Sequence, residues 1–192
     1  IMPESMRSTT PDVNIEPEPE QELEVRLVVY NTTDVKMMDI EGTSDVYFEC
    51  YIDNKKKKLK TDVHYRCMDG NASFNYRLKL YYKNTKKSER QLEVRCFDRD
   101  LIGANEFIGS RTIDLWEVIN DCLLTKRPGS VNKKYYNNHL KKFDSWKDLE
   151  VKWEDNFSFW VDLYDTEKGK QVCNGKVRLR IDLLTKEEAD ES

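Results

Sequence analysis

Hydrophobic and polar residues alternate along most of this chain with the two-residue period of half-buried β-strands. In residues 23–31, for example, Leu23, Val25 and Leu27 alternate with charged or polar positions. The predicted strands cover residues 23–31, 45–52, 58–65, 73–80, 91–97, 106–113, 157–165 and 175–184. Short segments rich in turn-forming residues separate most of them. This pattern predicts an all-β fold, an eight-stranded antiparallel Greek-key β-sandwich.

A helical insertion is predicted between the sixth and seventh strands, over about residues 114–156. Its segments WEVINDCLL and NNHLKKFDSWKDL have spacings typical of short helices, and Pro128 and Gly129 separate them. The insertion places four lysines around four aromatic residues, which are Lys133, Lys134, Lys141, Lys142, Tyr135, Tyr136, Phe143 and Trp146. Such a group can contact lipid or a partner, but we expect the aromatic side chains to pack over the sandwich.

The charge distribution separates a basic body from acidic ends. Residues 1–22 form a polar, proline-rich linker or leader with a net charge of -5, and residues 185–192 form an acidic tail with -3. Because the whole chain carries -4, the predicted domain at 23–184 carries +4. A mildly basic domain favours anionic surfaces as partners.

The compartment and the chemical class follow from composition. Five cysteines without CxxC spacing suggest neither a disulfide framework nor a zinc site, so a reducing compartment is expected. No apolar run approaches the roughly 20 residues that cross a bilayer. The two histidines, His64 and His139, accompany no recognisable nucleophile motif, so we do not expect an enzyme.

Acidic residues cluster in two predicted loops. Asp39 and Asp45 follow the first strand, and Asp98, Asp100 and Glu106 follow the fifth. Hard oxygen donors from separate loops suit Ca²⁺, which takes six to eight oxygen ligands. Without a cation, like charges about 4 Å apart repel by ~4 kcal/mol per pair at an effective dielectric constant of 20. The alternative is that these are ordinary polar loops in a highly charged chain.

The motifs DIEGTSDVY and FDRDLIGANEFIG resemble the two acidic loops of C2 domains. The resemblance implies a Ca²⁺ site formed by five carboxylates, with the backbone carbonyl of Arg99 as a neutral ligand. It also implies docking to phospholipid. Aromatic residues alternating with lysines could suggest single-stranded nucleic acid, but such a surface would not need the five acids, so no nucleic-acid partner is expected. Glu106 stands where C2 domains usually have Asp, so its carboxylate is displaced by one methylene group. In the second loop, CMDGNASF, Asp69 is either a further ligand or a turn residue, and we expect the turn.

The segments TDVHYRCMDGNASFNYRLKL and FDRDLIGANEFIGS narrow the resemblance to the ferlin family, most closely to its membrane-proximal C2 domain lettered F. This implies a type II topology in which GKVRLRIDLL, the last strand, fills the place beside the first. It also implies a role in vesicle fusion, exocytosis or membrane repair. A cytoplasmic domain, peripheral to membranes or tethered by an anchor outside this sequence, is expected, with neighbouring C2 domains or fusion proteins as further candidate partners.

Hydrophobic residues beside the acids predict membrane contact. Ile40 follows Asp39, and Leu101 and Ile102 follow Asp100. Burying each such side chain contributes roughly 1.5–3 kcal/mol. Alternatively, Leu101 or Ile102 packs beneath its own loop. Met37 and Met38 are expected to belong to the core or its wall.

A lysine-rich hairpin is a candidate phosphoinositide-binding site, as C2 domains often use this region. It contains Lys55, Lys56, Lys57, Lys58 and Lys60. A solvated turn explains the same residues equally well. The alternative function for the whole chain is a Ca²⁺-independent C2 module for protein-protein or intramolecular contacts.

Overall fold

The computed structural model describes residues 21–39, 42–53, 57–85 and 88–191. The longer strands are β1 Gln21–Thr33, β2 Ser44–Ile52, β5 Ser73–Asn84, β6 Gln91–Asp98, β7 Glu106–Asp114, β10 Phe159–Glu167 and β11 Lys170–Thr185. The shorter strands are β3 Leu59–Lys60, β4 His64–Cys67, β8 Gly129–Ser130 and β9 Lys152–Trp153. The helices are α1 Trp116–Thr125, α2 Lys133–Asn138, α3 Asp144–Lys147 and α4 Lys186–Asp190, with a 3-10 turn at Leu140–Lys142.

Eight strands follow one another in the order β3-β2-β6-β7-β10-β11-β1-β5. One half of the sandwich comprises β3, β2, β6 and β7, and the other comprises β10, β11, β1 and β5. A single residue pair, Tyr164 and Ser110, joins the halves between β10 and β7. At the other side, the rings of Phe48 and Phe74 meet edge to face at 5.3 Å. The predicted antiparallel sandwich is confirmed.

The last long strand takes the position predicted for it. β11 is antiparallel to β1 and to β10, so it lies between them. Leu27 of β1 faces Ile181 of β11 in register, and both are fully buried. The alternation seen in the sequence therefore separates a core face from an outer face on these strands, and the type II arrangement is confirmed.

The third predicted strand was wrong as a continuous element. Residues 58–65 contain β3 and the start of β4, which pair with β2 in different registers. Between them, the Thr61 hydroxyl accepts a hydrogen bond from the Phe48 N–H at 2.9 Å, while the Thr61 N–H donates to the Phe48 carbonyl. The side chain of Thr61 thus replaces a backbone acceptor and interrupts the ladder.

The insertion closes the gap between β7 and β10 at the end of the sandwich where β10 begins. β10 begins at Phe159, opposite Leu179, so it leaves the remainder of β11 without this neighbour. β8 pairs with that part of β11, and Leu140 and Trp146 are buried in the common core. Tyr136 packs against the same core. The predicted helical insertion is confirmed, and so is the packing of Trp146, Tyr135 and Tyr136, but the expectation for Phe143 was wrong, since it is 38% exposed.

The ends of the described region extend slightly beyond the predicted limits. β1 begins at Gln21, and β11 ends at Thr185. The short helix α4 then starts with a capping box in which Thr185 and Glu188 exchange hydrogen bonds. Residues 1–20 lie outside the described region. Among the residues described, no helix is long and apolar enough to cross a membrane.

Candidate functional site

Three loops meet at one end of the sandwich: loop 1 (residues 34–43), loop 2 (68–72) and loop 3 (99–105). Loops 1 and 3 are joined through Asp45 at the start of β2. Its N–H donates to Oδ1 of Asp98 at 2.6 Å, and its carbonyl accepts from the Arg99 N–H at 2.9 Å. The predicted convergence of the two acidic loops is therefore confirmed.

Loop 2 and β11 hold the base of loop 1. The Val35 N–H donates to the Gly70 carbonyl at 3.2 Å. Gly70 has a φ of +75°, and a Cβ placed there would lie 2.6 Å from the Val35 nitrogen. On the other side, a Cβ at Gly175 would lie 2.8 Å from the Val35 Cα. Only glycine allows these backbones to approach so closely, so the three segments form one rigid support.

Asp98 is the buried centre of the acidic cluster, and the residue is only 1% exposed. Its Oδ1 accepts the Asp45 hydrogen bond, but its buried Oδ2 has no hydrogen-bond partner within the described part of the chain. Burial raises the pKa of Asp98, and the negative charges of Asp39 and Asp100 act in the same direction, whereas hydrogen bonding to the Ser44 side chain and to the Asp45 N–H lowers it. A buried carboxylate oxygen without a partner is costly unless a cation compensates it.

The other predicted acidic residues surround Asp98 in different ways. Glu106 is the direct cross-strand partner of Asp98 between β6 and β7, and it is exposed. Direct cross-strand neighbours have Cβ atoms roughly 4.5–5.5 Å apart. Asp45 is half-buried, and its Oδ1 accepts the Arg66 N–H at 2.8 Å. In loop 1, Asp39 is exposed and accepts a weak hydrogen bond from the Thr43 hydroxyl at 3.3 Å.

The side chains have the right chemistry for a hard divalent cation but are spread apart. Within the described ranges, no three His, Cys, Asp or Glu side chains are grouped so that they could hold a metal ion. Nevertheless, the unpartnered Oδ2 of Asp98 lies in the field of two further carboxylates. Oxygen donors from two converging loops are the ligand type that Ca²⁺ takes, although the described side chains are too far apart to hold the ion as they stand.

The tip of loop 3 is strongly exposed. Leu101 is 88% exposed and Ile102 is 95% exposed, which excludes the alternative that either side chain packs beneath the loop. The Arg99 side chain donates to the Tyr65 hydroxyl at 2.9 Å instead of pointing freely into solvent. Ile40, the corresponding candidate in loop 1, lies outside the described residues. Met37 and Met38 pack against the core as predicted.

Loop 2 and the strand before it contribute two exposed hydrophobic residues that sequence reasoning missed. Met68 is 76% exposed and Tyr65 is 57% exposed. The Arg99 hydrogen bond brings Tyr65 next to loop 3. The signal that could have identified Met68 was its position beside Asp69 in the predicted turn, by analogy with Leu101 beside Asp100.

Asp69 itself is a turn residue, as expected. Its Oδ1 accepts the Asn71 N–H at 3.0 Å, which is the hydrogen bond of an Asx turn. This bond from the Asn71 backbone lowers the pKa of Asp69. The carboxylate therefore stabilises loop 2 locally.

The lysine-rich hairpin is partly neutralised by Glu49 of β2. Lys58 lies 2.7 Å and Lys60 3.8 Å from the Glu49 carboxylate, and Arg95 approaches it at 3.4 Å. Lys57 is exposed, whereas Lys55 and Lys56 lie outside the described residues. Two of the candidate phosphoinositide-binding residues, Lys58 and Lys60, thus share an acidic partner that would compete with an anionic ligand.

Comparisons with known proteins agree with this architecture. The sequence model of the C2 domain family matches residues 23–137. Myoferlin from Homo sapiens is 26% identical over 222 aligned positions, which cover 100% of this chain and 10% of that protein. Fer-1-like protein 4 from Mus musculus is 27% identical over 137 positions, covering 57% of this chain and 7% of that protein. The chain therefore spans about a tenth of the length of the curated relatives it matches.

A solved structure of two calcium-bound C2 domains from extended synaptotagmin 2 has the same fold. It superimposes with a TM-score of 0.52 at 20% identity, covering 84% of this chain and 45% of that one. The family match includes both acidic loops, and the similarity to myoferlin confirms the ferlin resemblance inferred from the loop motifs. The chain belongs to the C2 domain family.

Proposed function

We propose that this chain is a Ca²⁺-dependent phospholipid-binding domain of a ferlin-like protein that acts in vesicle fusion, exocytosis or membrane repair. The observation that carries the proposal is the buried Oδ2 of Asp98, which has no hydrogen-bond partner among the described residues and lies near two other acids. The proposed ligands are Asp39, Asp45, Asp98, Asp100, Glu106 and the backbone carbonyl of Arg99. We further propose that the domain is not an enzyme.

Ligand closure requires side-chain movement around a fixed centre. Asp98 is held by the Asp45 N–H and by burial, whereas Asp39 is exposed and can change rotamer at little cost. Asp45 keeps one carboxylate oxygen beyond the one that accepts the Arg66 N–H. Glu106 starts opposite Asp98 and has a longer side chain than Asp, so it can reach the same centre from β7.

Membrane docking couples the ion to the hydrophobic tips. Bound Ca²⁺ would compensate the carboxylates that repel an anionic bilayer. Leu101 and Ile102 already project into solvent, so their insertion needs no unfolding of loop 3. Each side chain that becomes buried in lipid contributes roughly 1.5–3 kcal/mol, which is about a tenfold to hundredfold gain in partitioning.

A calorimetric Ca²⁺ titration of the chain tests the first step. We expect saturable binding and a Ca²⁺-dependent rise in melting temperature for the wild type and for Asp69→Asn, since Asp69 serves its own turn. Absence of both signals at millimolar Ca²⁺ would remove the proposal.

Sedimentation with vesicles of phosphatidylcholine and phosphatidylserine tests the second step. Ile102→Ser should lose at least tenfold in Ca²⁺-dependent binding while its Ca²⁺ affinity is retained. Tyr81→Ser is the matched control, because Tyr81 is 73% exposed on β5 and far from the loop tips in sequence and register. Equal sedimentation of the Ile102 variant and the wild type would contradict insertion of loop 3.

A second candidate function is a Ca²⁺-independent module for protein or intramolecular contacts. It is favoured by the dispersed carboxylates of the described residues and by Glu49 of β2, which pairs with Lys58 and Lys60. The Ca²⁺ titration separates the two functions. A phosphoinositide role for Lys55, Lys56, Lys57, Lys58 and Lys60 stays a proposal in which Glu49 limits the affinity.

A further inference from the structure

The insertion contains a segment with several cations and no acids, which the proposed Ca²⁺ site does not use. Between Thr125 and Phe143, the sequence has six lysine or arginine residues and no aspartate or glutamate. We call this set the insertion basic surface, and it comprises Lys126, Arg127, Lys133, Lys134, Lys141 and Lys142. A run of this kind concentrates positive charge on one small part of a chain whose overall charge is -4.

These cations are available to a ligand. All six are exposed, and within the described ranges none of their side chains makes an ion pair or a hydrogen bond. The nearest acids along the chain already have hydrogen-bond partners, although Asp121 keeps its negative charge beside α2, as Glu117 does. Asp121 accepts from the Tyr135 hydroxyl at 2.6 Å, and Asp144 pairs with Lys147 at 2.6 Å. Asp182, beside β8, accepts from the Ser130 hydroxyl at 2.6 Å.

Local packing brings parts of this segment together. The Tyr135 hydrogen bond to Asp121 ties α2 to α1, and the Tyr135 ring stacks on His139 at 5.1 Å. The end of α1, residues 127–130 and the first turn of α2 line one cavity of about 240 Å³. The 3-10 turn with Lys141 and Lys142 follows His139 directly, through a hydrogen bond from the Lys142 N–H to the His139 carbonyl.

Exposed hydrophobic side chains flank the cations on both sides. Leu124, at the end of α1, is 82% exposed, and Phe143, after the 3-10 turn, is 38% exposed. Cations interspersed with exposed apolar side chains match the interface of an anionic bilayer, where charges meet headgroups and hydrophobic residues enter the acyl boundary. An acidic protein segment would pair with the cations, but it would cover Leu124 only if it also carried apolar side chains.

The insertion basic surface is separate from the loop tips. Ser130 of β8 is opposite Asp182, which in turn is opposite Arg26 of β1. Arg26 is seven residues before Thr33, where β1 ends at loop 1, so the separation along the strand is about 23 Å at 3.3 Å per residue. The same membrane patch therefore need not contact both surfaces.

We propose that the insertion basic surface binds anionic phospholipid membranes without Ca²⁺, as a second membrane-binding site independent of the loops. Its attraction is electrostatic and short-ranged, because the Debye length falls from about 10 Å at 0.1 M salt to about 3 Å at 1 M. Each lysine or arginine near such a surface strengthens partitioning about fivefold. Leu124 and Phe143 add a component that salt does not screen.

The test is sedimentation of the full chain in EGTA with vesicles containing 30% phosphatidylserine or phosphatidylcholine alone. We expect binding only to the anionic vesicles, reduced by salt. Neutralising Lys133, Lys134, Lys141 and Lys142 to Gln should weaken it by a hundredfold or more. A control quadruple variant, Arg66, Arg77, Lys168 and Lys170 to Gln, has the same net charge and alters exposed cations elsewhere. It should bind within about twofold of the wild type.

Three outcomes would overturn the proposal: no binding in EGTA, equal losses in both quadruple variants, or binding to an oligoglutamate peptide with none to anionic vesicles. Circular dichroism melting shows whether the variants are folded, and Leu124→Ser provides a milder variant with an expected loss of about tenfold. A Ca²⁺ arm separates this inference from the proposed function. If wild-type binding in EGTA persists but Ca²⁺ adds nothing, the loop proposal fails and this one stands.

Discussion

Replacing Asp98 by Asn removes the buried charge while keeping the shape of the side chain. The Asn Oδ1 can still accept the Asp45 N–H, which lies 2.6 Å from Oδ1 in the wild type. The new amide replaces Oδ2, the atom without a hydrogen-bond partner in the described region, and because it is neutral it removes the repulsion from the charges of Asp39 and Asp100. We therefore expect the Ca²⁺-free variant to be more stable than the wild type.

The magnitude follows from the cost of an unsatisfied buried polar group, about 1–3 kcal/mol. Relieving part of it should raise the free energy of unfolding by about 1–2 kcal/mol. For a chain of this length, each kcal/mol raises the melting temperature by about 2–4 °C, so we expect a gain of about 2–8 °C in EGTA. In a hundredfold excess of Ca²⁺ over its dissociation constant, the wild type gains about 2.7 kcal/mol, and the variant should gain little.

The pH dependence provides a further signature. Because burial raises the pKa of Asp98 above its usual value of 3.8, the folded protein binds a proton at higher pH than the unfolded chain does. The stability of the wild type relative to Asp98→Asn therefore falls as pH rises through the folded-state pKa, and the two converge as pH falls towards 3.8.

Differential scanning fluorimetry in EGTA and in Ca²⁺, repeated from pH 4 to pH 8, measures the gain in stability, the loss of the Ca²⁺ response and the pH dependence. Asp69→Asn is the control, since it makes the same chemical change in an exposed turn at the same end of the sandwich. An Asp98→Asn protein that is less stable than the wild type in EGTA, or that keeps the full Ca²⁺ response, would refute the reasoning.

Three further substitutions test the base of loop 1, the lysine-rich hairpin and the Asp155 turn. Gly70→Ala should lower the free energy of unfolding in urea by at least 2 kcal/mol, because the new Cβ would clash with Val35. Gly169→Ala is the control, since Gly169 has a similar φ of +76° and no atom within 4 Å of the added Cβ, and it should lower the free energy by only about 1 kcal/mol. Equal losses in the two variants would contradict the clash. Glu49→Gln should strengthen binding of inositol phosphate by freeing the surrounding cations, and unchanged binding would argue against a site there. Hydrogen bonds lower the pKa of Asp155 to about 2, so Asp155→Ala should cost about 1 kcal/mol at pH 7 after allowance for exposure, a cost that disappears between pH 4 and pH 2.

The predicted strands illustrate which features are readable from local sequence. Leu27 and Ile181 were assigned to core faces from alternation alone, and both are fully buried. The exception is residues 58–65, where the Thr61 side chain interrupts the ladder by bonding to β2. Alternation reports which face a residue occupies, but it carries no information on a hydrogen bond to a distant strand.

The acidic loops were predictable from the sequence only in part. Their residues and their motif were recognisable in the sequence, and their meeting was expected from the sandwich topology. The sequence could not reveal that Asp98 alone is buried, because that depends on how β2, β6 and loop 1 pack together. Likewise, Lys58 and Lys60 looked like a free basic cluster until pairing between β2 and β3 placed Glu49 beside them.

Most of the strand pattern, the family and the acidic residues were predictable from the sequence, because they depend on side-chain type and short-range spacing. Three features became visible only in the folded chain: one Asp98 oxygen has no hydrogen-bond partner among the described residues, Ile102 projects into solvent, and the insertion fills the gap between β7 and β10 while its lysines stay exposed. Burial and pairing arise between residues far apart in the chain, so they depend on packing and not on local pattern.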